Sequence, residues 1–72
     1  MIYVTKSEKR DDGFMYHEIM IHTSCCKRIF IVREDAPGKY WDFENQEYCL
    51  EGTACSIKRQ LNFQAVNEQI KN

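Results

Sequence analysis

No apolar run in the chain approaches the roughly 18 residues that a membrane-spanning helix needs. A basic excess is also missing: ten Lys and Arg face eleven Asp and Glu, a formal net charge of −1. Proteins that grip duplex nucleic acid draw most of their affinity from phosphate neutralisation, so direct nucleic-acid binding is not expected from this total. Nucleophile elbows, glycine-rich phosphate loops and paired-carboxylate motifs are absent, and with them the usual signatures of an enzyme. The opening residues Met1-Ile2-Tyr3-Val4-Thr5-Lys6 lack the basic stretch and long apolar core of a signal peptide. The expected location is therefore the cytoplasm, where thiols stay reduced. Internal repeats, low-complexity tracts and linkers are not found.

At 72 residues the chain has room for a single domain, residues 1–72. A domain this small buries only about 60% of the surface its unfolded chain exposes, and such domains commonly gain stability from disulfides, a metal or a partner subunit. The four cysteines, Cys25, Cys26, Cys49 and Cys55, are too few for a disulfide scaffold. Adjacent Cys25 and Cys26 would point to opposite faces of a strand, which argues against a bond between them. Free, partly buried thiols are expected.

Residues 2–5 are β-branched and aromatic and read as a first strand, followed by a charged loop from Lys6 to Gly13. Residues 14–23 read as a second strand with Met15, His17, Ile19 and Ile21 on one face and Phe14, Tyr16, Glu18, Met20 and His22 on the other. Neither face is wholly polar, which suits a central strand. Ser24-Cys25-Cys26 is a tight connection into a third strand over 27–34, built around the apolar run Ile29-Phe30-Ile31-Val32. Pro37-Gly38 marks a turn, because proline pre-sets φ at one central position and glycine supplies a positive φ at the next. A fourth strand over 39–44 alternates Trp41 and Phe43 with Tyr40, Asp42 and Glu44. The expected arrangement puts Trp41 and Phe43 in the core and Tyr40 and Tyr48 at the surface. Residues 45–52 fit either a helical turn or a short fifth strand, with the strand preferred.

Thr53 is a suitable N-cap for a helix over 54–71. On that helix Ala54, Ile57, Leu61 and Ala65 form one stripe, while Cys55, Phe63, Val66 and Ile70 lie roughly opposite. One straight helix cannot bury both on one sheet. Either it breaks near Asn62, or the second stripe meets a loop, a second copy of the chain or another partner. The expected fold is α+β: a small antiparallel sheet of four to five strands with a C-terminal helix packed on one face.

Chemistry-bearing residues are scattered. His22, Cys25, Cys49 and Cys55 are ligand types suited to zinc, but Cys49-x5-Cys55 is looser than the usual zinc knuckle and no metal is expected. Cys55 falls in the first helical turn, where a thiolate is favoured, yet no histidine is near it in sequence. Lys6, Lys9, Arg10, Lys27, Arg28, Lys58 and Arg59 make a weak basic set whose plain explanation is solvation. The positive pattern is acidic and aromatic. Residues 34–51 carry a net charge of −5, while residues 1–33 and 52–72 each carry +2.

Within that pole, Tyr40, Asp42, Glu44, Glu47 and Tyr48 are the candidate contact residues, with Phe63, Val66 and Ile70 as a second candidate face that would also serve a homodimer. Tyrosine offers rigid contact area, and flanking acids steer a basic partner. Together with the absences, this favours a non-enzymatic protein-binding module without cofactor. Its expected partner is a protein, such as a basic complex that handles nucleic acid. Small chains without chemistry of their own are often encoded by phages or other mobile elements, where they inhibit host defence complexes as anti-CRISPR proteins do. The alternative expectation is a small zinc-stabilised domain or a nucleic-acid accessory factor.

Overall fold

The computed structural model describes residues 1–71, with side chains described through residue 65. Five strands, β1 (Ile2–Lys9), β2 (Met15–His22), β3 (Lys27–Ala36), β4 (Lys39–Asp42) and β5 (Glu47–Tyr48), precede one helix, α1 (Glu51–Lys71). The strands form a single antiparallel meander in the order β1-β2-β3-β4-β5. This is the α+β plan expected from the sequence. No described helix is long and apolar enough to cross a membrane.

β1 is longer than expected. Ser7, Glu8 and Lys9 pair with His17, Tyr16 and Met15, so the first half of the predicted charged loop is strand. Pairing supplies backbone partners, and an edge strand can leave its charged side chains in water. The β2–β3 pairing runs without interruption from Met15↔Glu34 to His22↔Lys27. Two irregularities break the outer pairs, at Thr5 between Val4 and Lys6, and at Asp35 between Glu34 and Ala36. The second decides which residues are buried. Pro37 and Gly38 turn the chain, Gly38 with φ 80°, so that Ala36 faces Lys39. Continued evenly, that pairing would set Glu34 opposite Trp41. The extra residue Asp35 sets Glu34 opposite Tyr40 and Val32 opposite Asp42 instead. Because side chains alternate, a one-residue slip exchanges the two faces of a strand.

The expected facing of β4 is therefore reversed. Tyr40 is 1% exposed and Asp42 is 5% exposed, both on the helix side with Phe30 and Val32. Trp41 is only partly buried and Phe43 is exposed, and both belong to the sheet's other side. The core comprises Val4, Ile19, Phe30, Val32, Tyr40, Ala54 and Ile57, with Ile2, Ile21, Cys49 and Leu61 packed against it. Ile19, Val32 and Ile57 are fully enclosed, and each such side chain contributes about 1.5–3 kcal/mol.

The helix starts earlier than its predicted cap. Ala54 N–H donates to Leu50 O at 2.9 Å, closing a first turn that contains Gly52 and Thr53. Glu51 in that turn complements the positive end of the helix dipole. The helix runs unbroken past Asn62, so the two-stripe conflict is not relieved by a break. Ala54, Ile57 and Leu61 dock on the sheet, and Cys55 and Phe63 stay exposed. Helix and sheet meet chiefly along β1, where Gln64 Nε2 also donates to Val4 O at 3.0 Å.

Candidate functional site

The connection between β4 and β5 is organised by one buried carboxylate. Asp42 Oδ1 accepts the backbone N–H groups of Glu44 at 2.9 Å and Asn45 at 3.3 Å, and Oδ2 accepts from Asn45 Nδ2 at 3.1 Å. The first of these closes an Asx-turn, the local bond that lets aspartate stand in for backbone in a turn. Gln46 completes the reversal with φ 56°. Arg28 reaches across from β3, its Nη2 3.7 Å from Asp42 and 3.2 Å from Glu44. The result is a fixed tip. In and around it Phe43 is 42% and Tyr48 47% exposed, and Leu50, Glu44, Glu47 and Glu51 are exposed as well.

Behind the tip, the sheet face turned away from the helix carries an ordered row. Tyr16, Arg33, Trp41 and Tyr48 sit opposite one another on β2, β3, β4 and β5. Trp41 meets Tyr48 edge to face at 5.0 Å, and Phe43 stacks on Tyr16 at 6.0 Å. The bulge residue Asp35 ties the row together. It accepts from Arg33 Nη2 at 3.1 Å and from Arg33 Nε, and from the Tyr48 hydroxyl at 2.8 Å. Arg33, and then Tyr48, hold the Asp35 carboxyl below its ordinary range, while Asp35 pushes the Tyr48 phenol up. At the far end, Asp12 accepts from the Tyr16 hydroxyl, and Arg10 lies 4.0 Å over the Tyr16 ring. The Tyr16 bond comes first among the causes that lower the Asp12 carboxyl. Arginines, carboxylates and aromatic rings are thus paired among themselves on this face, with Phe43 and Tyr48 the most exposed of the rings in the row.

A second polar group lies on the helix side. His17 is 3% exposed; its Nδ1 is 2.7 Å from Ser7 Oγ and its Nε2 is 3.7 Å from Glu34 Oε1. Nε2 makes no hydrogen bond. Burial holds the imidazole below its ordinary pKa against the opposing pull of Glu34. Tyr40 meets the ring edge-on at 6.0 Å, and burial, with Glu34 adding to it, pushes the Tyr40 phenol up to about 12. Side chains from four strands, Ser7, His17, Glu34 and Tyr40, meet here. The sequence signal was the alternation that set His17 with Ile19 and Ile21.

The predicted contact residues divide cleanly. Glu44, Glu47 and Tyr48 are exposed in the β4–β5 hairpin, with Glu47 opposite Asp42 on the helix side and Tyr48 opposite Trp41 on the other. Tyr40 and Asp42 are core residues, so they are withdrawn as contacts: Tyr40 fills space and Asp42 builds the turn. Phe63 is exposed on α1, whereas Val66 and Ile70 fall outside the described side chains. Phe43 and Leu50, which the facing argument had excluded or left aside, join the tip.

The thiols also differ from expectation. Cys25, Cys26 and Cys55 are exposed and only Cys49 is partly buried, its thiol pushed up by that burial. Among the described residues no three His, Cys, Asp or Glu side chains gather into a metal-holding group, so His22, Cys25, Cys49 and Cys55 do not form the four-ligand set considered from sequence. Comparison with protein-family models, with curated proteins and with solved structures finds no match.

Proposed function

We propose that the chain is a protein-binding module that docks a basic partner on the β4–β5 tip. One observation carries this: Phe43, Tyr48 and Leu50 are all exposed within eight residues of one short hairpin whose turn the buried Asp42 ties down, and Glu44, Glu47 and Glu51 are exposed in the same stretch. Exposed aromatic and aliphatic groups held in place lose little entropy on contact, which is the character of an interface hot spot. The carboxylates at the margin would steer a basic surface towards it and set its orientation more than they would add affinity. Nucleic acid is a poorer fit, because Arg33 is already committed to Asp35 and the tip itself is acidic.

A surface that is basic because it handles nucleic acid is the partner class this tip suits. A small chain occupying such a surface would act as an inhibitor, the role that phage proteins of the anti-CRISPR type play against host defence complexes. The test is affinity capture from nuclease-treated lysate of the native host, using the parent chain and a Glu44→Lys/Glu47→Lys/Tyr48→Ala variant. The expected result is one stoichiometric partner, captured by the parent and lost with the variant while circular dichroism is unchanged. Capture of the same partner at equal yield by both chains, or of none by the parent, overturns the proposal.

A further inference from the structure

Cys25 and Cys26 are set where two thiols can act on one atom. They lie in the four-residue connection 23–26 between β2 and β3, outside the strand that would have turned them to opposite faces. The connection is held by the Thr23 N–H donating to Cys26 O at 2.9 Å and the Cys26 N–H donating to Thr23 Oγ1 at 3.1 Å. Both residues are exposed, and their sulfurs are 3.8 Å apart. A disulfide is a poor use of this pair. Adjacent Cα atoms across a trans peptide are about 3.8 Å apart, short of the roughly 4.4 Å at which the disulfide range begins. A tetrahedral ion with metal–sulfur bonds of about 2.3 Å, by contrast, spaces two of its sulfurs about 3.8 Å apart. The sulfur separation in the loop is the bite of such an ion.

We infer that Cys25 and Cys26 chelate one thiophilic cation through their two thiolates. Binding displaces the two thiol protons to solvent and forms two metal–sulfur bonds, with no change of oxidation state. No third histidine, cysteine or carboxylate gathers there among the described residues, so the remaining coordination positions are open to water or a small thiol. Soft sulfur ligands select zinc, cadmium or cuprous ion over calcium or magnesium.

The experiment adds cadmium alone to the reduced chain, reading thiolate-to-metal charge-transfer absorption and the stoichiometry by native mass spectrometry. One cadmium per chain is expected, retained when Cys49→Ser and Cys55→Ser are combined. Cys25→Ser or Cys26→Ser should each weaken binding by about a hundredfold, because the second thiolate of a chelate acts at high effective concentration. Both positions are exposed, and an unchanged circular dichroism spectrum separates loss of the site from loss of the fold. Equal binding by the Cys25→Ser/Cys26→Ser chain, one cadmium shared by two chains, or no retained cadmium would each overturn the inference.

Discussion

Replacing Asp42 by alanine should loosen the tip and remove a large share of the domain's stability. The parent side chain accepts three hydrogen bonds, from Glu44 N, Asn45 N and Asn45 Nδ2, and lies beside the Arg28 guanidinium. Hydrogen bonds to a charged group are each worth about 1.5–3 kcal/mol. Glu44 and Asn45 are exposed, so water recovers part of what their donors lose. A net loss of about 2–4 kcal/mol is the working figure after that recovery. A chain of 72 residues has a total stability of about 4–11 kcal/mol, so the variant forfeits a large fraction of it. For a domain of this size, each kcal/mol lowers Tm by roughly 4–8 °C, which puts the fall at about 8–32 °C. Asp42→Asn keeps an oxygen for the Asx-turn but sets one amide against another at Asn45, and should fall between the two. Urea and thermal unfolding followed by circular dichroism at pH 7 measure all three chains. An Asp42→Ala chain within about 0.5 kcal/mol of the parent would refute the turn-building role and return Asp42 to the candidate contacts.

Two further outcomes follow from burial. The unfolded imidazole of His17 titrates near 6.5 and the folded one lower, so the unfolded chain takes up the proton first as pH falls. Stability should be unaffected by this group above about 6.5 and decline below it until the folded imidazole also titrates. The lowered carboxyls of Asp12 and Asp35 act only below 3.8, so His17→Asn should flatten the decline between about pH 6.5 and 5. An unaltered slope in urea titrations across that window would refute this. Separately, Tyr40→Ala should cost about 3–5 kcal/mol and Phe43→Ser less than about 1 kcal/mol, and the reverse order in chemical unfolding would contradict the observed facing of β4.

The strands themselves were legible wherever alternation and turn chemistry agreed. Ile29-Phe30-Ile31-Val32 announced β3, Pro37-Gly38 announced the hairpin, and Ile19 and Ile21 fell on the buried side of β2. What could not be read was the added residue at Asp35. Its side chain is polar and loop-like, and nothing local distinguishes a bulge from a lengthened turn. That single residue moved Tyr40 and Asp42 from the predicted surface to the core and brought Phe43 into the candidate site. The site was half visible for this reason: Glu44, Glu47 and Tyr48 stood on acidity and aromaticity alone, which do not depend on facing. The helix start was missed because Thr53 is a good cap by type, whereas the chain uses the Leu50 carbonyl and places an acid at Glu51. Cys25 and Cys26 are free, as expected, but the opposed-facing argument applies within a strand and they lie in the turn between strands.

A five-stranded meander has two open margins, and each is an invitation for another chain to add a strand. The Met1–His22 pair exchanges both backbone hydrogen bonds, so alternation turns the N–H and C=O of Ile2 and Val4 away from β2 towards the free margin. There the helix does more than cover a face. Gln64 bends its amide onto the Val4 carbonyl, and Thr5 kinks the strand one residue later, so the longest uninterrupted stretch of unpaired backbone is broken near its middle. At the opposite margin β5 is only two residues long, too short to template a partner strand. With both margins blunted, runaway strand-to-strand polymerisation is suppressed. Any association would then have to use side chains, matching shape and charge, and could not simply continue the hydrogen-bond ladder.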